Sequence, residues 1–190
     1  MPETQAARES SDEQLLTDAA RGELKAFETL LRRHERSLVN YVVRLGGPLA
    51  VAEDIFLDTA RRLFDHLDDL PLPDRVDIYL LRAARKLFTA HPAWKTEEAP
   101  APVAPPPELG SAAGEESSGR RTETSVRRRL EPWIRSALAT IPRQRREALI
   151  LRVYHGLSYR EIAKVTNAPA QTVYYWIHIS LSEFAKQVDG

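Results

Sequence analysis

The side chains best suited to binding chemistry lie in two successive helical segments near the C-terminus. Ser158 and Glu161 have the spacing of a helix N-terminal capping box, and apolar residues follow at helical spacing. A turn at residues 166–168 ends this helix, and Pro169 fits the first position of another one. This layout is typical of a helix-turn-helix, whose second helix enters the DNA major groove. The motif therefore predicts sequence recognition on DNA rather than catalysis.

The second helix of this motif would present an uncharged surface rich in rings. At about 100° per residue, one side carries the residues that we expect to pack inward: Val173, Ile177, Ser180, Leu181 and Phe184. The other side and its flank carry the residues that we expect to contact DNA: Gln171, Thr172, Tyr174, Tyr175 and His178. Lysine and arginine supply much of the affinity of proteins for DNA, and residues 174–180 contain neither.

A pair of aspartates one helical turn apart is the other candidate for chemistry. Asp54 and Asp58 could bind a metal ion, act as an acid–base pair, or simply form a solvated acidic face. The chain has no cysteine, which excludes disulfides, zinc–thiolate sites and cysteine nucleophiles. It also lacks a glycine-rich phosphate loop and a nucleophile elbow. We therefore expect neither an enzyme nor a bound metal or cofactor.

Charge is distributed unevenly along a chain whose 27 basic and 27 acidic residues cancel. Residues 125–190 carry eleven basic and five acidic side chains, whereas residues 92–124 carry three and six. A basic C-terminal region favours a polyanionic partner. The first residues show no signal peptide, and no apolar run approaches the roughly 18 residues of a membrane span. We expect a cytoplasmic protein with no membrane partner.

Helical periodicity predicts the elements that position these residues. Apolar residues recur at three- and four-residue spacings in four segments, at about 12–20, 23–45, 51–67 and 74–90. Further helices are predicted over 125–140 and 142–155, before the two helices of the motif. Residues 92–124 are rich in proline, glutamate and serine, which predicts a disordered linker with a reach on the order of 30 Å. The predicted fold is all-α, with small helical domains at 10–91 and 125–190.

Segments of the C-terminal region resemble a known family. Residues 141–152, Ile-Pro-Arg-Gln-Arg-Arg-Glu-Ala-Leu-Ile-Leu-Arg, are similar to the Leu-Pro-x-x-x-Arg-Glu-x-Leu-x-Leu-Arg segment of extracytoplasmic-function (ECF) sigma factors. These are small two-domain factors that initiate transcription in bacteria. Residues 156–163 also resemble that family, as do Pro169, Thr172 and Val173 at the start of the second motif helix.

The N-terminal region resembles the same family more loosely, at residues 52–55 and 79–85. The resemblance implies that this region grips core RNA polymerase and holds the melted promoter, while the motif reads the upstream promoter element. The residues implied to contact polymerase are Asp54, Ile55, Leu57 and Asp58. Those implied to contact DNA outside the motif are Arg82, Arg85, Lys86, Arg143 and Arg146. The implied partners are core RNA polymerase and promoter DNA, and an anti-sigma factor is left open as a third.

A second interpretation stays open, because the sequence departs from the family pattern where DNA is expected. Family members carry basic residues in the recognition helix, where this chain has Tyr174, Tyr175 and Trp176. Leu57 and Lys86 also stand where the family usually has glutamine and asparagine. Exposed rings are typical of protein interfaces. The chain is therefore either an ECF-type sigma factor or a sigma-like regulatory protein that has lost most promoter binding and acts through protein–protein interaction.

Overall fold

The computed structural model describes residues 10–67, 75–95 and 137–188. All regular secondary structure within these ranges is helical, so the predicted all-α class is confirmed. We call residues 10–67 with 75–95 the N-terminal unit, and residues 137–188 the C-terminal unit. Most of the predicted linker lies outside the described residues, as does the start of the helix predicted at 125–140. The predicted domain boundaries therefore stay a prediction.

The N-terminal unit is built from four helices and one further helical turn. They are α1 (Asp12–Ala20), α2 (Leu24–Arg44), α3 (Leu49–Asp65), α4 (Val76–Ala90) and the short α5 (Pro92–Lys95). The periodicity of the sequence predicts α1 to α4 to within two residues at each end. The predicted linker begins at residue 92, but residues 92–95 form α5, which Pro92 can begin because proline is tolerated in the first turn of a helix.

Local signals explain where these helices begin and end. The Ser11 hydroxyl accepts a hydrogen bond of 3.2 Å from the backbone N–H of Gln14, which caps α1. Gly46 follows α2 with φ at +97°, a left-handed conformation that favours glycine. At the next residue, Gly47, a β-carbon would lie only 2.7 Å from Cγ1 of Val42. The close turn between α2 and α3 therefore depends on both glycines.

The C-terminal unit contains the helical residues 137–140, then α6 (Arg143–Tyr154), α7 (Tyr159–Thr166) and α8 (Ala170–Val188). Helices α7 and α8 are the pair predicted as a helix-turn-helix. Asn167 ends α7 in the left-handed region, with φ at +54°, as its place in the predicted turn requires. Pro169 lies one residue before α8 rather than within it.

The two units share one hydrophobic core. Tyr41 and Phe88 of the N-terminal unit belong to the same cluster of buried side chains as Ile150 and Leu157 of the C-terminal unit. Helix α4 packs on α7, and α2 contacts α6. Because apolar surface removed from water stabilises by about 25 cal/mol per Å², this shared core holds the units together. We call this packing the closed arrangement.

Candidate nucleic-acid interface

Reciprocal hydrogen bonds fix the start of the helix-turn-helix. The backbone N–H of Glu161 donates to the Ser158 hydroxyl at 3.3 Å, and the Ser158 N–H donates to the Glu161 carboxylate at 2.7 Å. The capping box predicted from their spacing is therefore confirmed. Arg75 of the N-terminal unit also binds this carboxylate, with 2.7 Å between Nη1 and Oε1. The hydrogen bonds from Ser158, and then Arg75, hold the pKa of Glu161 below its usual range.

The outer face of α8 is open to solvent. Gln171 and His178 are exposed, and Tyr174 and Tyr175 are 50% and 59% exposed, whereas Thr172 is half-buried. The structure thus places four of the five predicted reading residues on one accessible surface. Their contacts with DNA stay a prediction.

The inner face of α8 matches the predicted side of the helix with one exception. Val173, Ile177 and Ser180 are buried, at 2% exposure or less. Leu181 is 49% exposed, so the prediction that it packs inward was wrong. At about 100° per residue, Leu181 lies at the edge of the buried face of α8. Burial at such an edge position depends on whether another helix packs beside it. The Phe184 side chain, also predicted to face inward, lies outside the described structure.

An unforeseen row of rings lines this surface. The rings of Tyr159 and Tyr174 meet edge to face with centroids 5.5 Å apart, and the rings of Tyr174 and His178 are 4.0 Å apart. Arg152 lies 5.2 Å from the Tyr159 ring, a cation–π distance. The row restricts the orientation of the His178 ring before any ligand binds. The four-residue spacing of Tyr174 and His178 was the available signal, since such side chains are neighbours on a helix.

The two arginines of α6 that were predicted to contact DNA are partly or fully buried. Arg143 is half-buried, stacks on the Trp94 ring at 4.0 Å and donates a hydrogen bond to the Trp94 carbonyl oxygen. Arg146 is only 4% exposed. Burial lowers the pKa of both guanidinium groups. In the closed arrangement neither side chain is presented to DNA, and contact of Arg143 with phosphate would first require its contacts with Trp94 to break. The contacts of both arginines with DNA stay a prediction.

Helix α4 presents part of its predicted DNA surface. Arg82 and Lys86 are exposed, whereas Arg85 donates from Nε to the carboxylate of Glu147 at 2.7 Å. In the closed arrangement Arg85 therefore forms an ion pair that joins the two units. Its predicted hold on the melted promoter requires that ion pair to break.

The residues predicted to contact polymerase lie on α3. Asp54, Leu57 and Asp58 are exposed, with Leu57 at 63%. Ile55 is only 4% exposed and belongs to the core, so its side chain packs the helix in place and offers no surface to a partner. The prediction of a direct contact by Ile55 is corrected, and that for the other three stays a prediction.

Two observations bear on the remaining expectations. Within the described residues, no group of histidine, aspartate or glutamate side chains is arranged to hold a metal ion, so Asp54 and Asp58 do not form part of such a cluster. Among the described helices, none is long and apolar enough to cross a membrane.

The chain was compared with protein-family models, with known protein sequences and with solved structures. The family model for sigma-70, region 4 matches residues 132–181, which include the helix-turn-helix. The RNA polymerase sigma-H factor of Pseudomonas aeruginosa is 23% identical over 171 residues, which are 87% of this chain and 87% of that protein.

A solved structure has the same overall fold. It is CnrH in complex with the cytosolic domain of CnrY, and it matches with a TM-score of 0.67 at 20% identity. The match covers 95% of this chain and 98% of that one. At this identity the similarity is one of fold, and it extends over both the N-terminal and the C-terminal unit.

Proposed function

We propose that this chain, a member of the extracytoplasmic-function sigma factor family, directs RNA polymerase to specific promoters and so initiates transcription. The observation that carries the proposal is the open outer face of α8 within a region that matches sigma-70, region 4. A helix presented in this way can enter the major groove without further rearrangement of its own unit. Because the role is one of recognition, we expect a non-enzymatic regulator that acts in the cytoplasm, where promoters and polymerase are found.

Each unit has its own task in this proposal. Helix α8 reads the upstream promoter element through the half-buried Thr172 and through its exposed polar and ring side chains: Gln171, Tyr174, Tyr175 and His178. Helix α4 holds the melted promoter strand through Arg82, Arg85 and Lys86, whose charges suit a phosphate backbone. Helix α3 binds core polymerase through Asp54, Leu57 and Asp58.

The closed arrangement implies that the chain must open to work. Arg85 is bound to Glu147, and Arg143 to Trp94, so two predicted DNA contacts are occupied within the molecule. Binding to core polymerase would have to separate the units. CnrH was solved in complex with the cytosolic domain of CnrY. We propose that this chain also has a protein partner, an anti-sigma factor, and that this partner holds it inactive.

A second candidate function rests on one observation. The outer face of α8 exposes Tyr174 and Tyr175 at 50% and 59% without any lysine or arginine between residues 174 and 180. Such a surface suits a protein partner as well as DNA. The alternative is a sigma-like regulator that acts through this partner and binds promoters weakly.

Transcription in vitro separates the two candidates. Core polymerase, the full chain and a library of genomic fragments from the source organism should give promoter-specific transcripts that depend on the chain. Tyr175→Ala should change which promoters are used, whereas Leu181→Ala, an exposed apolar residue on the same helix, should leave that choice unchanged. Absence of any chain-dependent transcript would contradict the sigma proposal. Unchanged promoter choice with Tyr175→Ala, together with loss of a bound protein, would favour the alternative.

A further inference from the structure

A basic cleft lies between the two units. It has a volume of about 600 Å³ and is bounded by α3, α4 and α7. Five cationic side chains line it, four from the N-terminal unit and one from the C-terminal unit: Arg62, Arg82, Arg85, Lys86 and Lys164. No carboxylate is found among its described lining residues. The cleft is therefore strongly positive within a chain whose formal net charge is zero.

Most of these cations lack a partner in the described structure. Arg85 pairs with Glu147, but the other four, Arg62, Arg82, Lys86 and Lys164, form no ion pair with any described residue. Basic residues just outside the cleft behave differently: Arg61 pairs with Asp65 at 3.9 Å, and Arg75 pairs with Glu161 at 2.7 Å. Like charges gathered in one concave site repel each other and concentrate a positive field. That repulsion opposes closure, and a multivalent anion would relieve it.

We propose that this cleft binds a compact anion with several phosphate groups, of the nucleoside-polyphosphate class. Its volume falls within the roughly 300–1,000 Å³ of small-molecule sites. The guanidinium group of arginine can donate two parallel hydrogen bonds to phosphate oxygens, and the ammonium group of lysine also binds them. The cleft also offers the ring of Tyr79 and the amide of Asn167, which suit the stacking and hydrogen bonding of a base and sugar.

The ligand would bridge the two units. Lys164 lies on α7 and Asn167 caps its C-terminal end, whereas Arg82 and Lys86 belong to α4, so the full set of contacts exists only when the units are closed. A ligand that binds one state alone stabilises that state by mass action. The anion therefore favours the closed arrangement. If the proposed sigma function holds, it also competes with the melted promoter strand for Arg82 and Lys86, and so reduces transcription.

Calorimetric titration of the full chain tests the site without polymerase. Inorganic tripolyphosphate is the probe, at about 0.15 M salt to screen loose surface binding, and orthophosphate should bind much more weakly. Arg82→Ala and Lys164→Ala should each weaken tripolyphosphate binding about tenfold, because each removes a charged hydrogen bond. Lys186→Ala, an exposed lysine on α8 outside the cleft, should leave it unchanged. Both cleft residues are exposed, so the variants should fold, which circular dichroism checks.

The outcomes are distinct. Loss of binding with Arg82→Ala but not with Lys164→Ala would place the anion on the N-terminal unit alone and overturn a bridging site. Equal weakening by Lys186→Ala, or no saturable binding, would overturn the proposal altogether. A nucleoside triphosphate that binds more tightly than tripolyphosphate supports the nucleoside class, and one that binds no better removes the role given to Tyr79. None of these results depends on transcription, so failure of the sigma proposal would be seen separately.

Discussion

The Tyr41 hydroxyl donates a hydrogen bond of 2.6 Å to Oε1 of Glu147 and thereby joins α2 to α6 across 106 residues of sequence. Arg85 of α4 donates to the same oxygen at 2.7 Å. Glu147 is only 1% exposed, and its charge is compensated by Arg85. Burial, reinforced by the neighbouring Glu147 carboxylate, raises the pKa of Tyr41 well above its usual value. The hydroxyl therefore stays a donor, and the three side chains act together as a polar clasp between the units.

Removal of the Tyr41 hydroxyl should weaken the clasp while the ring keeps its place in the core. We expect Tyr41→Phe to lower the free energy of unfolding by about 1–3 kcal/mol, because a buried carboxylate loses one hydrogen-bond donor. Urea denaturation measures the change. Tyr154→Phe, a partly exposed tyrosine that stacks with Arg44, is the control and should change stability by less than about 0.5 kcal/mol. Equal effects of the two substitutions would mean that the hydrogen bond adds nothing specific.

Arg85 and Glu147 should affect transcription in opposite directions. Glu147→Gln removes the charge that holds Arg85, so the closed arrangement weakens and Arg85 becomes available to the promoter. We expect more open complexes at limiting chain concentration. Arg85→Ala also breaks the pair but removes the predicted strand contact, so we expect fewer open complexes. Run-off transcription with core polymerase measures both.

Opening itself can be followed independently of transcription. The chain has no cysteine, so a dye pair can be placed at Glu53→Cys and Ser182→Cys, two exposed positions in different units. Energy transfer between the dyes should fall in the Glu147→Gln background. If Glu147→Gln and Arg85→Ala both gave fewer promoter open complexes in the transcription assay, the Arg85–Glu147 ion pair would support the active form of the chain instead of restraining it.

Features governed by local sequence could be predicted. The Ser158–Glu161 capping box, the turn at residues 166–168 and the inward placement of Val173 and Ile177 depend on neighbours within one or two helical turns. Helix α1 illustrates the limit of such patterns. Ser11 caps it, and Gln14 has the spacing to complete a capping box, but Gln14 directs its side-chain amide to Asp18 at 2.9 Å.

Features that depend on the packing of the units could not be predicted. Arg146 was predicted to contact DNA, yet it is buried, and so is its neighbour Glu147. Glu147 is held by two residues far away in the sequence, Tyr41 and Arg85. Ile55 was assigned to a partner surface from a resemblance that fixes the helix but not the direction of each side chain on it. Arg82 and Lys86 are exposed as predicted, whereas Arg85 and Arg146 are drawn inward by packing that the sequence does not reveal.

The closed arrangement should lose stability as pH falls, because of His155. Its pKa is lowered from 6.5 to about 4, first by burial and then by Arg44, with Asp77 acting in the opposite sense. The unfolded chain therefore binds more protons between about pH 6.5 and 4, so the contribution of this group is complete above pH 6.5 and is lost towards pH 4. We expect the free energy of unfolding to fall by up to about 1.4 kcal/mol per pH unit from this group.

Comparison of variants isolates the histidine from other titrating groups. His155→Gln can still bond Ser37, which lies 3.2 Å from Nδ1 of the native ring, but it does not titrate. Urea denaturation at pH 7 and pH 5 should show a smaller loss of stability in this variant than in the native chain. His178→Gln, at an exposed position on α8, should retain the native dependence. Identical pH dependence in all three proteins would contradict the assignment.

Promoter binding through α8 should depend only weakly on salt. Each phosphate contact by lysine or arginine in B-DNA contributes about 0.9 to the slope of log affinity against log salt concentration. Residues 174–180 of α8 include no lysine or arginine. A cation introduced at the centre of the outer face of α8 should add one contact. We therefore expect Tyr175→Arg to strengthen promoter binding at low salt and to steepen the slope by about 0.9.

Placing the new charge at a second position on α8 tests whether tighter binding comes from a direct phosphate contact or from general electrostatic attraction. Leu181→Arg adds the same charge at a residue that is also exposed but lies on another side of α8. It should raise affinity slightly at low salt through the overall field, which screening removes within about 10 Å at 0.1 M salt. It should not change the slope by a full contact. If both variants steepen the slope equally, or neither does, then α8 does not present Tyr175 to the promoter. The ring-rich face would then be better explained as a surface for a protein.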